Sequence, residues 1–247
     1  MKNYNLIVIV PCYNEKTALL SGRYVDFFDT IPENMLAVFV DDKSTDNTYN
    51  LLVQYCSSNS EKAILIQNEF NLGKSESIRT AVNYCFKNFN FNKIAFLDAD
   101  LATPLSECER LSAYAENEIG FVFGSRILRL GATIQRNYLR YLIGRAIATL
   151  ISTSLQLKVY DTQCGCKVFN RSISKELFEK PFISKWLFDV ELFFRAKQII
   201  KTNQLSFNLF LEVPLNIWIE YGDSKVSKSY FFKLFYDLYK IHKQYHK

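Results

Sequence analysis

The chain has 247 residues, 49% of them hydrophobic and 22% charged, an ordinary globular composition that excludes a disordered or fibrous protein. Its formal charge of +5 suits anionic small molecules or a lipid surface and is too weak to argue for nucleic acid. No uninterrupted apolar run approaches the roughly 20 residues needed to cross a bilayer, and the nearest, Tyr138 to Leu157, is broken by Arg140 and Arg145.

Six cysteines (Cys12, Cys56, Cys85, Cys108, Cys164 and Cys166) are scattered through a chain too large to need disulfide staples. Free thiols in a reducing cytoplasm are therefore expected. Asn3 and Asn5 interrupt the N-terminus, so no secretory signal is expected ahead of the first strand. Cys164-Gly165-Cys166 lacks the two-residue spacing of a zinc or redox pair.

In chain order, the first half alternates short β-branched runs with helical patterns. Leu6 to Val10 reads as a buried strand and Lys16 to Phe28 as a helix. Leu36 to Val40 is a second strand, followed by a helix over Asp46 to Gln54 with Asp46 as its N-cap. Ala63 to Gln67 is a third strand and Ser75 to Phe86 a helix. Lys93 to Leu97 is a fourth strand, after which Thr103 caps a helix whose first position is Pro104. Ile119 to Phe123 makes a fifth strand. Beyond Gly124 the alternation stops. A long helix is predicted from about Arg136 to Gln156, then a polar, cysteine-bearing loop, then helices over Ser172 to Phe178 and Phe188 to Lys201. Leu211 to Ile219 reads as extended, and the chain is helical again from Lys228. Neither an internal repeat nor a clear linker is visible, so one domain is expected over 1–226, with an aromatic and basic amphipathic helix over 227–247.

Strands alternating with helices imply right-handed crossovers, an α/β class and a mostly parallel sheet flanked by helices. Ligands in such sheets bind at the carboxyl ends of the strands. The loops after Val10, Val40, Gln67 and Leu97 then share one rim, and the informative polar residues lie in those loops. The fourth strand runs into Asp98-Ala99-Asp100. Residues two apart in an extended stretch point to one side, so two carboxylates converge there as hard oxygen ligands for Mg²⁺ or Mn²⁺. Such an ion would also take diphosphate oxygens and stabilise the charge that builds when a sugar–phosphate bond breaks. The first strand runs into Pro11-Cys12-Tyr13-Asn14-Glu15, a ring to stack on a base and a carboxylate for ribose or base. The second ends in Asp41-Asp42-Lys43-Ser44-Thr45-Asp46, and the third loop reads Asn68-Glu69-Phe70-Asn71-Leu72-Gly73-Lys74. Gly73-Lys74-Ser75 resembles the tail of a P-loop, but Asn68 stands where the earlier glycine belongs. A dinucleotide-binding glycine pattern is absent after Val10.

These four motifs, in this order at strand ends, resemble those of the large inverting glycosyltransferase family built on a nucleotide-diphosphate-sugar fold, family 2 of the GT-A type. In the second half, Asp161-Thr162-Gln163-Cys164-Gly165-Cys166-Lys167-Val168-Phe169, Trp186-Leu187-Phe188-Asp189-Val190-Glu191, Glu212-Val213-Pro214 and Ser224-Lys225 resemble the dolichyl-phosphate glucosyltransferase branch. The dolichyl-phosphate mannose synthases are less close. The resemblance implies a GT-A-like fold and metal-dependent transfer of a hexose, glucose from UDP-glucose, to a polyprenyl phosphate. By the same resemblance, Pro11, Tyr13, Glu15, Val40 and Asp42 would hold the nucleoside. Asp98 and Asp100, with Ala99 between them, would hold the metal and diphosphate, Arg126 and Lys225 would neutralise phosphates, and Lys74 would join the residues that bind the nucleotide sugar. Asp189 falls near the base of relatives that use sugar hydroxyls, with Glu191 close by. Two departures stand out: Ala102 occupies the position of a third metal ligand in the mannose synthases, and Ile219 the position of a basic residue. No counterpart is expected here of the N-terminal membrane anchor of the glucosyl-type enzymes.

Aromatic and basic residues suit the lipid headgroup zone. The C-terminal helix carries Tyr230, Phe231, Phe232, Phe235, Tyr236, Tyr239 and Tyr245 among lysines. The helix from Arg136 carries Leu139, Leu142, Ile143, Ile147 and Leu150 beside Arg136, Arg140 and Arg145, and Arg136 and Arg140 are candidates to meet the acceptor phosphate. A protein peripheral to the cytoplasmic membrane face is thus expected. A same-fold transferase acting on a soluble glycan or protein, a nucleotidyltransferase and a non-catalytic nucleotide-sugar binder remain open alternatives.

Overall fold

The computed structural model describes residues 2–204, 207–221 and 230–245. Its first half is a run of β–α units: β1 (Asn3–Cys12), α1 (Lys16–Leu19), α2 (Gly22–Thr30), β2 (Met35–Asp41), α3 (Thr48–Ser58), β3 (Ala63–Gln67), α4 (Lys74–Asn88), β4 (Asn90–Leu97), α5 (Leu105–Tyr114) and β5 (Phe121–Ser125). Then come β6 (Thr133–Gln135), α6 (Tyr138–Leu155), β7 (Cys166–Asn170), α7 (Arg171–Glu179), α8 (Phe188–Asn203), β8 (Phe210–Pro214), β9 (Ile217–Ile219) and α9 (Tyr230–Tyr245).

Seven strands form one sheet in the order β3-β2-β1-β4-β7-β5-β8, and β6 pairs β9 in a separate two-stranded ribbon. The large sheet is parallel except for β7, which runs antiparallel to both β4 and β5. This is the expected mostly parallel α/β sheet flanked by helices. Its near-continuous apolar strands are buried on both faces, as parallel strands flanked by helices must be. One face packs Tyr24, Phe27, Leu52 and Leu111, from α2, α3 and α5, against Val8, Phe39 and Val168. The other packs Ile78, Leu177, Phe188 and Phe193, from α4, α7 and α8, against Ile9, Phe96 and Phe169. Leu234, Leu238 and Ile241 bring α9 into that second layer, so its inner face shares the core of the sheet.

Several elements differ from the sequence reading, each for a local reason. The helix expected over Lys16 to Phe28 is two, because Ser21 is extended and its hydroxyl donates to the Ala18 carbonyl, closing α1 before Gly22 opens α2. Pro104 stands at the N-cap rather than the first helical position, and no Thr103 side-chain cap is present. Asp46 does accept from the Thr48 amide, at 2.9 Å, but Asn47 holds the N-cap position of α3. The extended stretch expected over Leu211 to Ile219 divides at Leu215-Asn216 between the two sheets. The largest difference is β7, expected as loop. Its lysine at 167 reads as a surface residue in isolation, yet Lys167 sits mid-sheet, opposite Phe96 on β4 and Phe123 on β5.

The base of α8 is held by a buried ionic knot. Glu191 accepts from Arg195, from the Tyr245 hydroxyl of α9 and from the Ile183 amide. The Arg195 guanidinium in turn donates to the carbonyls of Leu177, Lys180 and Pro181. Removing one partner of a buried ion pair strands the other, at about 3–5 kcal/mol. Arg195→Met is therefore expected to lower unfolding stability by about that amount, read as a shifted midpoint in urea.

Candidate active site

The rim formed by the ends of β1, β2 and β4 gathers the motif residues. β4 ends at Leu97, and the next three residues turn outward. The Asp98 amide donates to the Gly165 carbonyl at 3.2 Å, because β7 begins directly beside β4. Asp98 Oδ1 receives the Lys74 ammonium at 2.5 Å. Asp100 Oδ1 accepts from the Ala102 amide at 2.9 Å, and the Ala99 carbonyl accepts from the buried Tyr24 hydroxyl at 2.8 Å. Burial alone would raise the Asp98 carboxyl; the Lys74 ammonium, with Lys167 and Arg126 behind it, brings it below the ordinary value. Asp100 is raised, by burial and then by the charge of Asp98. Two neighbouring carboxylates held apart in this way favour a cation between them.

Among the described residues, no group of three or more His, Cys, Asp and Glu side chains gathers to hold a metal. Asp98 and Asp100 are two hard donors, and Ala102, where a third ligand could stand, is buried and apolar. That set fits a divalent ion of the Mg²⁺ kind, which takes one or two carboxylates and completes its shell with substrate phosphates and water.

The nucleoside side of the rim is built by cross-bracing. Asn14 is left-handed (φ 53°), and its side chain accepts from the Thr45 amide at 2.8 Å, locking the loop after β1 to the loop after β2. Tyr13 is left exposed, and Glu15 follows with its amide donating to the Thr48 hydroxyl. Asp42 is buried with both oxygens engaged: Oδ1 accepts from Asn68 and the Leu72 amide, and Oδ2 from the Gly73 amide. Its carboxylate thus braces the Asn71-Leu72-Gly73 turn and the root of Lys74. Val40 pairs with Pro11 near the ends of β2 and β1, with its side chain in the core.

A second wall is cationic. Arg126 donates from its main-chain amide, Nε and Nη2 to Asp161, whose own amide is held by Glu212. Burial would raise the Asp161 carboxyl, but Arg126 depresses it to about 2. Arg136 lies near Arg126, and burial followed by the Arg126 charge lowers its pKa. Arg140, in the first turn of α6, pairs with Glu220, and Asn137 caps the N-terminus of that helix. Lys225 lies outside the described residues.

The sequence reading gave Lys167 no role. It is fully buried on β7 and donates to Asp189 Oδ1 at 2.5 Å and to the Cys164 carbonyl at 2.6 Å. A buried lysine is tolerated only when paired. The signal was present in the alternation Cys166/Val168 against Lys167/Phe169, which places the lysine on the face of α8. Gly165 was likewise quoted without a role. A Cβ there would stand 2.1 Å from Asp98 Oδ2, so only glycine lets the carboxylate rest on that backbone.

Comparison with known proteins agrees with this architecture. Residues 7–178 match the family described as Glycosyl transferase family 2. A dolichyl-phosphate beta-glucosyltransferase of Trichomonas vaginalis is 31% identical, over 94% of this chain and 69% of its own. The Dictyostelium discoideum protein of that name is 28% identical, over 91% and 69%. Among solved structures, glucosyl-3-phosphoglycerate synthase from Mycobacterium tuberculosis in complex with UDP superposes with a TM-score of 0.66 at 16% identity, covering 97% of this chain and 80% of that one. The same protein with Mn²⁺, UDP-glucose and phosphoglyceric acid also gives 0.66, at 14% identity, with the same coverage. The sheet and its acidic rim define a sugar-transfer scaffold. The chain belongs to glycosyl transferase family 2.

Two outcomes follow from the geometry. Gly165→Ala must push the Asp98 carboxylate from its seat; since a displacement of about 1 Å at reacting groups can lower rates about 100-fold, a turnover loss of that order with the fold retained by circular dichroism is expected. The depressed Asp161 contributes stability that is complete above its unfolded value of about 4 and is lost as pH falls through about 2. Urea unfolding between pH 5 and pH 2 should lose about 2 kcal/mol in the native protein, an increment absent from Asp161→Asn.

Proposed function

We propose that the protein transfers glucose, with inversion at the anomeric carbon, from UDP-glucose to the phosphate of a polyprenyl lipid at a membrane surface. The observation that carries this reading is the pair of neighbouring guanidiniums. Arg126 is anchored by Asp161, whereas Arg136 stands in its positive field with no carboxylate in contact among the described residues. An incoming phosphate dianion relieves that repulsion and forms charge-assisted hydrogen bonds to both. The names of the relatives support a lipid phosphate as the anion.

The chemistry asks little of a base. A phosphate monoester, with a second pKa of about 6, is largely ionised at neutral pH. Its oxygen forms the new bond to the anomeric carbon as the bond from that carbon to the diphosphate oxygen breaks. Asp189, the candidate base for hydroxyl acceptors, already has one oxygen committed to Lys167. Positioning and charge neutralisation then dominate. Tyr13 offers its exposed ring to the base, and Glu15 its carboxylate to the ribose or base. Asp98 and Asp100 would hold Mg²⁺ or Mn²⁺ against the diphosphate, where the ion would neutralise the leaving group. Lys74 and Arg126 add fixed positive charge beside it.

The lipid reading draws on exposed aromatic and aliphatic residues of α6 and α9. Tyr138, Leu139, Leu142 and Ile143 on α6, and Phe235, Tyr236 and Tyr239 on α9, are exposed beside basic residues. Among the described residues no helix is long and apolar enough to cross a membrane; in this reading the lipid phosphate is met at the membrane surface. The Mycobacterium tuberculosis neighbour is named for a soluble phosphorylated acceptor, and a small phosphate ester is the second reading.

Incubation with UDP-glucose and either dolichyl or undecaprenyl phosphate should yield the glucosylated lipid by mass spectrometry, with release of UDP. Asp98→Asn/Asp100→Asn should reduce that yield about 1,000-fold or more. Glucosylation of phosphoglycerate with no polyprenyl product would overturn the lipid assignment. Release of pyrophosphate would replace glycosyl transfer with nucleotidyl transfer.

A further inference from the structure

Lys74 occupies an unusual place for a residue expected to bind the nucleotide sugar. Its ammonium is on Asp98 Oδ1 at 2.5 Å, on one of the two acids expected to hold the metal. The main chain beneath it cannot move easily. Gly73 has φ 88°, its amide is held by Asp42 Oδ2, and Leu72 and Asn71 are tied to the same residue. The side chain above that fixed root is long and flanked by the rings of Phe96 and Phe188, 5.8 and 5.5 Å from Nζ. A second carboxylate lies within electrostatic reach, since both Asp98 and Asp189 act on the Lys74 ammonium. Asp189 is itself immobilised by the buried Lys167. The order of charges over Phe96 is therefore Asp98, Lys74, Asp189, Lys167, alternating in sign.

An ammonium in contact with a carboxylate cancels much of its charge, so Lys74 and a divalent cation compete for Asp98. With only Asp98 and Asp100 as protein ligands, a metal ion entering alone meets the repulsion of Lys74 and offers that ammonium no new anion. A metal entering with a nucleotide brings diphosphate oxygens that complete the metal shell and receive the released ammonium. Resting on the reading of Asp98 and Asp100 as metal ligands, we propose that Lys74 is a place-holding cation. It neutralises Asp98 while the site is empty and passes to the donor diphosphate, beside Asp189, when metal and donor bind together. The consequence is coupling: each ligand binds better in the presence of the other, by the same factor in both directions.

The test reads Mn²⁺ binding by electron paramagnetic resonance of the free ion, with and without UDP, and needs neither acceptor nor turnover. The native protein should bind Mn²⁺ weakly alone and much more tightly with UDP. Lys74→Met should bind Mn²⁺ alone about tenfold more tightly, the scale on which a contacting cation shifts a carboxylate, and should gain less from UDP. Lys74→Arg, which keeps the charge, should behave as the native protein. Lys185→Met removes a neighbouring charge that packs on Gly73 without touching Asp98, and should leave donor-free binding within about twofold of native, a small remainder at that range. Should Lys74→Met fail to fold by circular dichroism, Lys74→Gln takes its place. Unchanged or weaker Mn²⁺ binding in the folded Lys74 variant overturns the exchange, as does equal tightening in Lys185→Met. Absence of Mn²⁺ binding in every protein even with UDP overturns the metal reading beneath it.

Discussion

The site depends on one strand running against the grain of its sheet. β7 enters between β4 and β5 in the opposite direction, so its first residues arrive where β4 delivers Asp98. That single reversal places the Gly165 backbone beneath the Asp98 carboxylate and points Lys167 across the sheet to Asp189 on α8. Carboxylates from two distant parts of the chain thereby acquire fixed positions relative to one another. Antiparallel pairing supplies the stiffness: β7 exchanges main-chain hydrogen bonds with both neighbours, and a strand so held can carry a lysine through an aromatic core.

Charge balance governs the rest. The rim holds Asp98, Asp100, Asp161 and Asp189 against Lys74, Arg126 and Lys167, nearly all of them partnered. Burying such charges is unfavourable unless each finds its opposite, and Lys74, Arg126 and Lys167 find theirs in Asp98, Asp161 and Asp189. Binding anions and cations there requires exchanging these internal partners for external ones. Sites of this kind stay folded without ligand yet remain receptive to it, because the attraction given up is close to the attraction gained.

How far the sequence disclosed this arrangement varies by element. β1, β2, β3 and β4 were legible because parallel strands buried on both faces read as continuous apolar runs, and the motif loops sat at their ends. Asp98 and Asp100 were legible for the same reason: two acids two residues apart at the end of a strand. The part Asp42 plays in holding a turn 30 residues further along was not legible. Nothing local distinguishes a carboxylate that braces a loop from one that awaits a ligand. β6 and β9 are three residues each and pair only with one another, too short for any period to show.

By itself the sequence determined the class of fold, the order of the rim loops and the residue types that meet there, because hydrophobic period and turn chemistry are properties of neighbouring residues. Tertiary structure alone decided which of those charges are spoken for. That Lys167 belongs to Asp189, Arg126 to Asp161 and Lys74 to Asp98 depends on strands and helices brought together from separations of 22 to 35 residues. Electrostatic partnership is set by distance in space and by burial, and neither is written in the local order of the chain.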